Sequence, residues 1–166
     1  MTNELILIII IASATTITAI IAGVFMAFSD FVMRSLSAAT PAAGIQSMQL
    51  INRKVYGSVF LVLLLGMAPV SAAIAAYAYT QLTGAAALWL FSGGMIYVLG
   101  VFVVTIVRNV PMNKRLDLMA HDTRSATEYW AIYSMSWTRW NHLRTLASGC
   151  SAICYLAGVL LLAQGA

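Results

Sequence analysis

Four long apolar runs alternate with polar connections along the chain: Leu5 to Phe28, Tyr56 to Ala78, Gly84 to Val107 and Leu143 to Ala163. Each is close to the roughly 20 residues that a helix needs to cross hydrocarbon. Unbroken runs of this kind are not the short alternating segments of a closed β-barrel. The pattern predicts an all-α, integral membrane four-helix bundle whose helices extend beyond the bilayer on the cytoplasmic side. Thr40-Pro41 is an N-cap followed by proline at the first helical position, so helix two is expected to begin well before its apolar span. Pro111 is expected to kink or end helix three at the membrane surface.

Composition narrows the class. Of 166 residues, 61% are hydrophobic and 8% charged, against about a quarter charged in an ordinary soluble domain. A soluble globular domain is excluded, and 1–166 reads as one membrane domain without internal repeats. The formal charge is +4, but no basic cluster tracks phosphates, so no nucleic-acid partner is expected. Arg34, Arg53 and Lys54 lie between spans one and two, and Arg108, Lys114, Arg115, Arg124, Arg139 and Arg144 at or between spans three and four. The positive-inside rule then places both long connections in the cytoplasm and both termini outside, in a multi-pass protein of the cell's inner (plasma) membrane. The first run follows Glu4 and exceeds a signal-peptide core, so it is read as a retained anchor.

The helix faces carry the candidate chemistry. On helix one, Thr15, Ala19, Gly23 and Ala27 form a small-residue stripe that serves packing within a chain or between copies in a homo-oligomer. Asp30 continues that face and would point into the bundle. Gln49, Asn52 and Tyr56 share a face of helix two, and Thr105, Asn109 and Asn113 recur at four-residue spacing on helix three. At 100° per residue, Trp130, Tyr133, Trp137, Asn141, Arg144, Ser148 and Tyr155 fall in one arc of helix four, with Leu143, Leu146, Cys150, Ile153 and Cys154 opposite. His142 and Arg144 flank Asn141 on either border of the arc. Hydrogen-bonding side chains thus gather at the cytoplasmic end, while the outer half is mostly aliphatic. A polar chamber under Trp and Tyr would admit a flat lipophilic molecule, a hydrophobic aromatic ligand within the lipid bilayer. Interfacial aromatic belts and basic anchors account for many of the same residues without a ligand.

Other chemistry has little support. His121, Asp122, His142 and Asp30 make no ligand-spacing motif, so no metal site is predicted. Cys150 and Cys154 are one helical turn apart and fit packing better than redox work. Nucleophilic triads, phosphate loops and dinucleotide fingerprints are absent.

Phe28-Ser-Asp-Phe-Val-Met33, the stretch from Pro41 to Asn52 with Gly44, Met48 and Gln49, Arg108-Asn-Val-Pro-Met-Asn113, and Trp137-Thr-Arg-Trp-Asn-His-Leu-Arg-Thr145 resemble the bacterial branch of the anthrone oxygenase-like integral membrane family. The resemblance covers nearly the whole chain. It implies a four-helix membrane protein related to fungal enzymes that oxidise anthrones to anthraquinones without an added organic cofactor, molecular oxygen being the co-substrate. The asparagine after the proline beyond span three and the His-x-Arg before span four match Asn113, His142 and Arg144. The resemblance implies a cofactor-independent monooxygenase of a flat phenol or quinol-type substrate. His142 would then be the base and Asp30 the second choice, while Arg144 and Asn113 would hold the developing phenolate. Trp137 and Trp140 would stack on the rings, beside the substrate-facing amides Gln49, Asn52, Asn109 and Asn141. A non-catalytic protein binding a quinone, lipid or hydrophobic metabolite is the alternative. A small transporter ranks third, because no acidic residue lies near the middle of span one.

Overall fold

The computed structural model of the protein describes residues 2–165, and Met1 and Ala166, the ends of the domain read from the sequence, lie outside them. Every regular element among the described residues is helical. Four helices are long and apolar enough to cross a membrane, over Glu4–Ala38, Val59–Gln81, Gly84–Asp117 and Arg124–Gln164. The first consists of α1 (Thr2–Ala27), a π-helical segment (Phe28–Val32) and α2 (Met33–Ala38). A separate helix, α3 (Pro41–Val55), precedes α4 (Val59–Gln81). The third comprises α5 (Gly84–Ile96), two π-helical segments (Tyr97–Val103 and Thr105–Asn109) and α6 (Val110–Asp117). Helix α7 (Arg124–Gly165) runs 42 residues, about 63 Å at 1.5 Å per residue and roughly twice the thickness of hydrocarbon.

α7 therefore serves as the mast of the molecule. Its C-terminal half packs between α1 and α5, and its N-terminal half stands beyond the span and carries α3 and α6. Two cores result. Within the spans, Ile11, Ile21, Phe25, Leu64, Leu90 and Tyr155 interlock; lipid is as apolar as these side chains, so close packing rather than transfer from water holds them. Gly94 shows how close: a Cβ there would strike the Ser71 carbonyl. Around α3, Met33, Ile45, Met48, Leu116, Trp130 and Tyr133 form the second core. Gly44 seats α3, since its missing side chain leaves room for the Leu36 carbonyl and the Trp130 ring.

Several expectations are corrected. Helix two does not run continuously from Pro41: it breaks at Tyr56–Ser58, where Gly57 and Ser58 donate back to the carbonyls of Lys54 and Val55. Ser58 restarts the helix by accepting from the Leu61 N–H at 3.2 Å. Thr40 is the N-cap of α3 but makes no side-chain capping bond, and Pro41 contributes its fixed φ. Pro111 neither ends nor breaks the third span. It falls in the first turn of α6, directly after a π segment, where the missing N–H is tolerated. On α1 the small-residue stripe does not pack against the rest of this chain: Ala19 and Gly23 are exposed, and nothing in the chain approaches the Cβ position of Gly23. Ile11, Thr18, Ile21 and Phe25 form the buried line instead, because larger side chains fill the seam without close backbone approach. The half of the bundle away from α3 is also less aliphatic than expected: Thr18, Ser71, Ser151 and Tyr155 are buried there. Ser151 donates to the Gly93 carbonyl at 2.8 Å. Cys154, assigned to the outward face, is buried, whereas Cys150 is exposed.

Candidate functional site

The inward arc of α7 becomes a row of buried side chains. Trp130, Tyr133, Trp137, Asn141, Arg144 and Ser148 are all at most 5% exposed. Trp130 stacks on Tyr133 at a centroid separation of 5.5 Å, Tyr133 on Trp137 at 6.3 Å, and Phe28 meets Trp137 at 5.8 Å. Aromatic rings thus lead from the α3 layer down to Asn141 and Arg144.

Asn141 is fixed by its partners. Its Nδ2 donates to the Phe25 carbonyl and to Ser29 Oγ, both at 2.7 Å, and its Oδ1 accepts from Arg144 Nη2 at 2.6 Å. A backbone carbonyl only accepts, so the amide has one orientation and its oxygen must face Arg144. Regular pitch delivers these contacts: at 100° per residue Ser29 continues the buried line of Ile11, Thr18 and Phe25 into the π segment Phe28–Val32, while Asp30, about 100° further round, is exposed. On the third span, the π segment Thr105–Asn109 places Thr105 and Asn109 inward. Arg144 Nη1 donates to Thr105 Oγ1 at 3.3 Å, and the guanidinium lies 4.3 Å over the Phe25 ring and 5.4 Å from that of Trp137.

Arg144 is 4% exposed, and among the described residues no carboxylate pairs with it. The ion pairs found there, Arg53–Asp117 and Arg124–Glu128, are at the surface. Its Nε makes no hydrogen bond. A buried guanidinium without a counter-ion carries a desolvation cost that neutral partners offset only in part.

Beside it opens a cavity of about 410 Å³, within the ~300–1,000 Å³ range of small-molecule sites. Phe25 and Phe28 from the first span, Met48 and Ile51 from α3, and Phe60 and Leu64 from α4 supply apolar wall. Its polar groups include Asn52, Asn109, Asn113, Trp137, Asn141 and Arg144, with Lys54, Tyr56, Ser58 and Thr105 also in the lining. Four buried atoms on these residues have no hydrogen-bond partner: Asn52 Nδ2, Asn109 Oδ1, Trp137 Nε1 and Arg144 Nε. Three are donors and one an acceptor, a set suited to a ligand oxygen, especially an anionic one, together with a hydroxyl. Asn109 is held by its Nδ2 donating to the Trp137 carbonyl at 3.3 Å, and Asn113 by accepting from the Tyr133 hydroxyl at 2.8 Å. Among the described residues no three His, Cys, Asp or Glu come together as metal ligands.

The cavity therefore gathers Asn52, Asn109, Asn113, Trp137, Asn141 and Arg144 from among the residues singled out in the sequence. It leaves out four. Asp30 and His142 are exposed and outside the lining, because helical pitch carries each about 100° past its buried neighbour, Ser29 and Asn141. Trp140 is half-buried under the Arg108 guanidinium at 4.6 Å. Gln49 is buried at the far side of α3, where its Nε2 donates at 2.8 Å to the carbonyls of both Leu116 and Met119. It caps the end of α6. Gln49→Leu is accordingly expected to lower stability by about 1–3 kcal/mol, from two carbonyls left unpaired, read as a lower thermal midpoint in detergent with ligand affinity little changed. Phe25, Phe28, Ser29 and Lys54 are the participants that sequence reasoning missed. Phe25 and Ser29 lie on the line of Ile11, Thr18 and Ile21, with Phe28 beside it, a face passed over in favour of the small-residue stripe, and Lys54 reads first as a topology signal.

The sequence model of the anthrone oxygenase family matches residues 53–154. This is more than half of the chain, running from the end of α3 into α7 and including Asn109, Asn113, Trp137, Asn141 and Arg144, but not the first span with Phe25 and Ser29. No curated protein and no solved structure matches the chain.

Proposed function

Since the chain belongs to the anthrone oxygenase family, we propose that the cavity binds a flat lipophilic phenol or aryl ketone as its oxyanion and that the bound anion is oxidised by molecular oxygen. The observation that carries this reading is Arg144, which lines the cavity while buried, has no carboxylate partner among the described residues and leaves its Nε without a hydrogen bond. A ligand oxyanion would supply the missing negative charge, and a cation held in a water-poor site favours it strongly. The aromatic side chains Phe28 and Trp137 would flank the rings.

The chemistry balances without an organic cofactor. An anthrone is the keto form of a phenol-like enol. Loss of one proton from the ligand gives an enolate whose negative charge is shared between the oxygen and the opposite ring carbon. The oxygen would sit at Arg144. The carbon would pass one electron to dioxygen, and the two radicals would combine into a peroxide. After protonation, loss of one water leaves the carbonyl of the quinone, so one dioxygen is consumed and one water formed per methylene oxidised. The proton that matters leaves from an acidic ligand rather than through a deep base, which suits a lining without imidazole or carboxylate among the described residues. His142→Ala is accordingly expected to retain turnover within about threefold of wild type; its loss with binding intact would return the base role to His142.

The test is oxygen uptake by the detergent-purified protein given an anthrone, with elemental analysis and an absorption spectrum of the same sample. One oxygen consumed per quinone formed, without metal or chromophore, supports the proposal. Saturable binding without uptake above the spontaneous rate would leave a binding protein. The inner membrane, with the α3 end toward the cytoplasm, is part of the same proposal.

A further inference from the structure

The cavity has a second cation. Lys54, in the last turn of α3, lines its exposed end, while Arg144 lines its buried part. Among the described residues no acidic side chain contributes to the lining. Lys54 itself is in no ion pair there; the nearby carboxylate of Asp117 is taken by Arg53 at 2.7 Å. The end of α3 and the start of α4 meet at the same mouth, with Val55, Ser58 and Phe60 in the lining, so their opposed dipole ends offset each other and leave the Lys54 ammonium as the charge there. The cavity is therefore positive at its mouth and in its depth, separated by apolar and aromatic wall.

We propose that Lys54 is a specificity-determining residue and that the ligand class is an aromatic acid with two anionic ends: a phenolic or enolic oxygen for Arg144 and a carboxylate, on the far side of the ring system, for Lys54. This rests on the reading of the cavity given above and deepens it. The inner oxyanion meets a desolvated cation and supplies most of the affinity. The outer carboxylate meets a solvated ammonium and supplies selectivity, which falls as salt rises.

The probes are a hydroxyanthraquinone carboxylate and its methyl ester, which share the rings and the phenol and differ in the outer charge. Each is titrated into the detergent-purified full chain at low and high salt. The wild type is expected to favour the carboxylate by about fivefold at low salt, the size of a partly exposed charge pair. Lys54→Gln is expected to abolish this preference and Lys54→Arg to keep it. A wild type that binds both probes equally, or a preference that survives in Lys54→Gln, overturns the inference. Failure of the underlying reading looks different: either neither probe binds, or Arg144→Leu binds both as tightly as wild type.

Discussion

Arg144→Leu is expected to weaken binding of a hydroxyanthraquinone by about a hundredfold or more, the loss of a charge-assisted contact in a desolvated site. The same substitution is expected to change the thermal midpoint of the empty protein little, because relief of the buried charge offsets the cost of leaving Asn141 Oδ1 without its donor. Arg144 is buried against Phe25 and Trp137 without a carboxylate, and replacing such a charge by an apolar side chain of similar bulk is often neutral or stabilising. Affinity lost at little cost in stability distinguishes a binding group from a structural one. Equal affinity, or a collapse of stability in the empty protein, contradicts this assignment. Arg144→Lys keeps the charge but not the planar fork that engages Asn141 Oδ1 and Thr105 Oγ1 together, so it is expected to fall between the two.

Asn141→Leu is expected to be the most damaging single change to the fold. Asn141 is fully buried, and its removal strands the Phe25 carbonyl, Ser29 Oγ and Arg144 Nη2. Ser29 retains a contact with Thr145 Oγ1 at 3.3 Å, so the loss is less than three full penalties. At about 1–3 kcal/mol for each unsatisfied group, a loss of about 3–5 kcal/mol is expected. At 2–4 °C per kcal/mol for a chain of this size, the thermal midpoint would fall by about 6–20 °C. Ser29→Ala removes one of these contacts and is expected to cost about 1 kcal/mol. An Asn141→Leu protein as stable as wild type would show that the amide does not hold the first span against α7.

How far the sequence discloses this site depends on helical register. On α7 the pitch is regular, so projecting residues at 100° intervals brings Trp130, Tyr133, Trp137, Asn141 and Arg144 to one buried face, as the structure has them. The four membrane spans were equally legible, since twenty-odd apolar residues leave few alternatives. On the first span the projection started from the wrong face. Asp30 shares the face of Ala19 and Gly23, but that face is exposed in this chain, and Ser29 continues the buried line of Ile11, Thr18 and Phe25 instead. Asn109 lies in the cavity wall, although its span passes through two π segments. Ala and Gly permit close approach without requiring it, and within the chain Ile11, Thr18 and Ile21 occupy the seam. Gln49 shares a helix with Asn52 yet turns to the α6 carbonyls, a tertiary contact that local pattern does not contain. His142, the base expected from the resemblance, faces outward, since neighbours of Asn141 on a regular helix diverge by about 100° on each side.

The most direct measurement is the visible spectrum of a redox-stable hydroxyanthraquinone bound to the purified protein, at a pH below the ligand's own pKa. If Arg144 is a cation waiting for an oxyanion, the bound dye shows its phenolate band while the free dye stays neutral, and the band vanishes in Arg144→Leu even at dye concentrations that saturate that variant. A bound dye with the neutral spectrum, or a phenolate band undiminished in Arg144→Leu, would contradict the account.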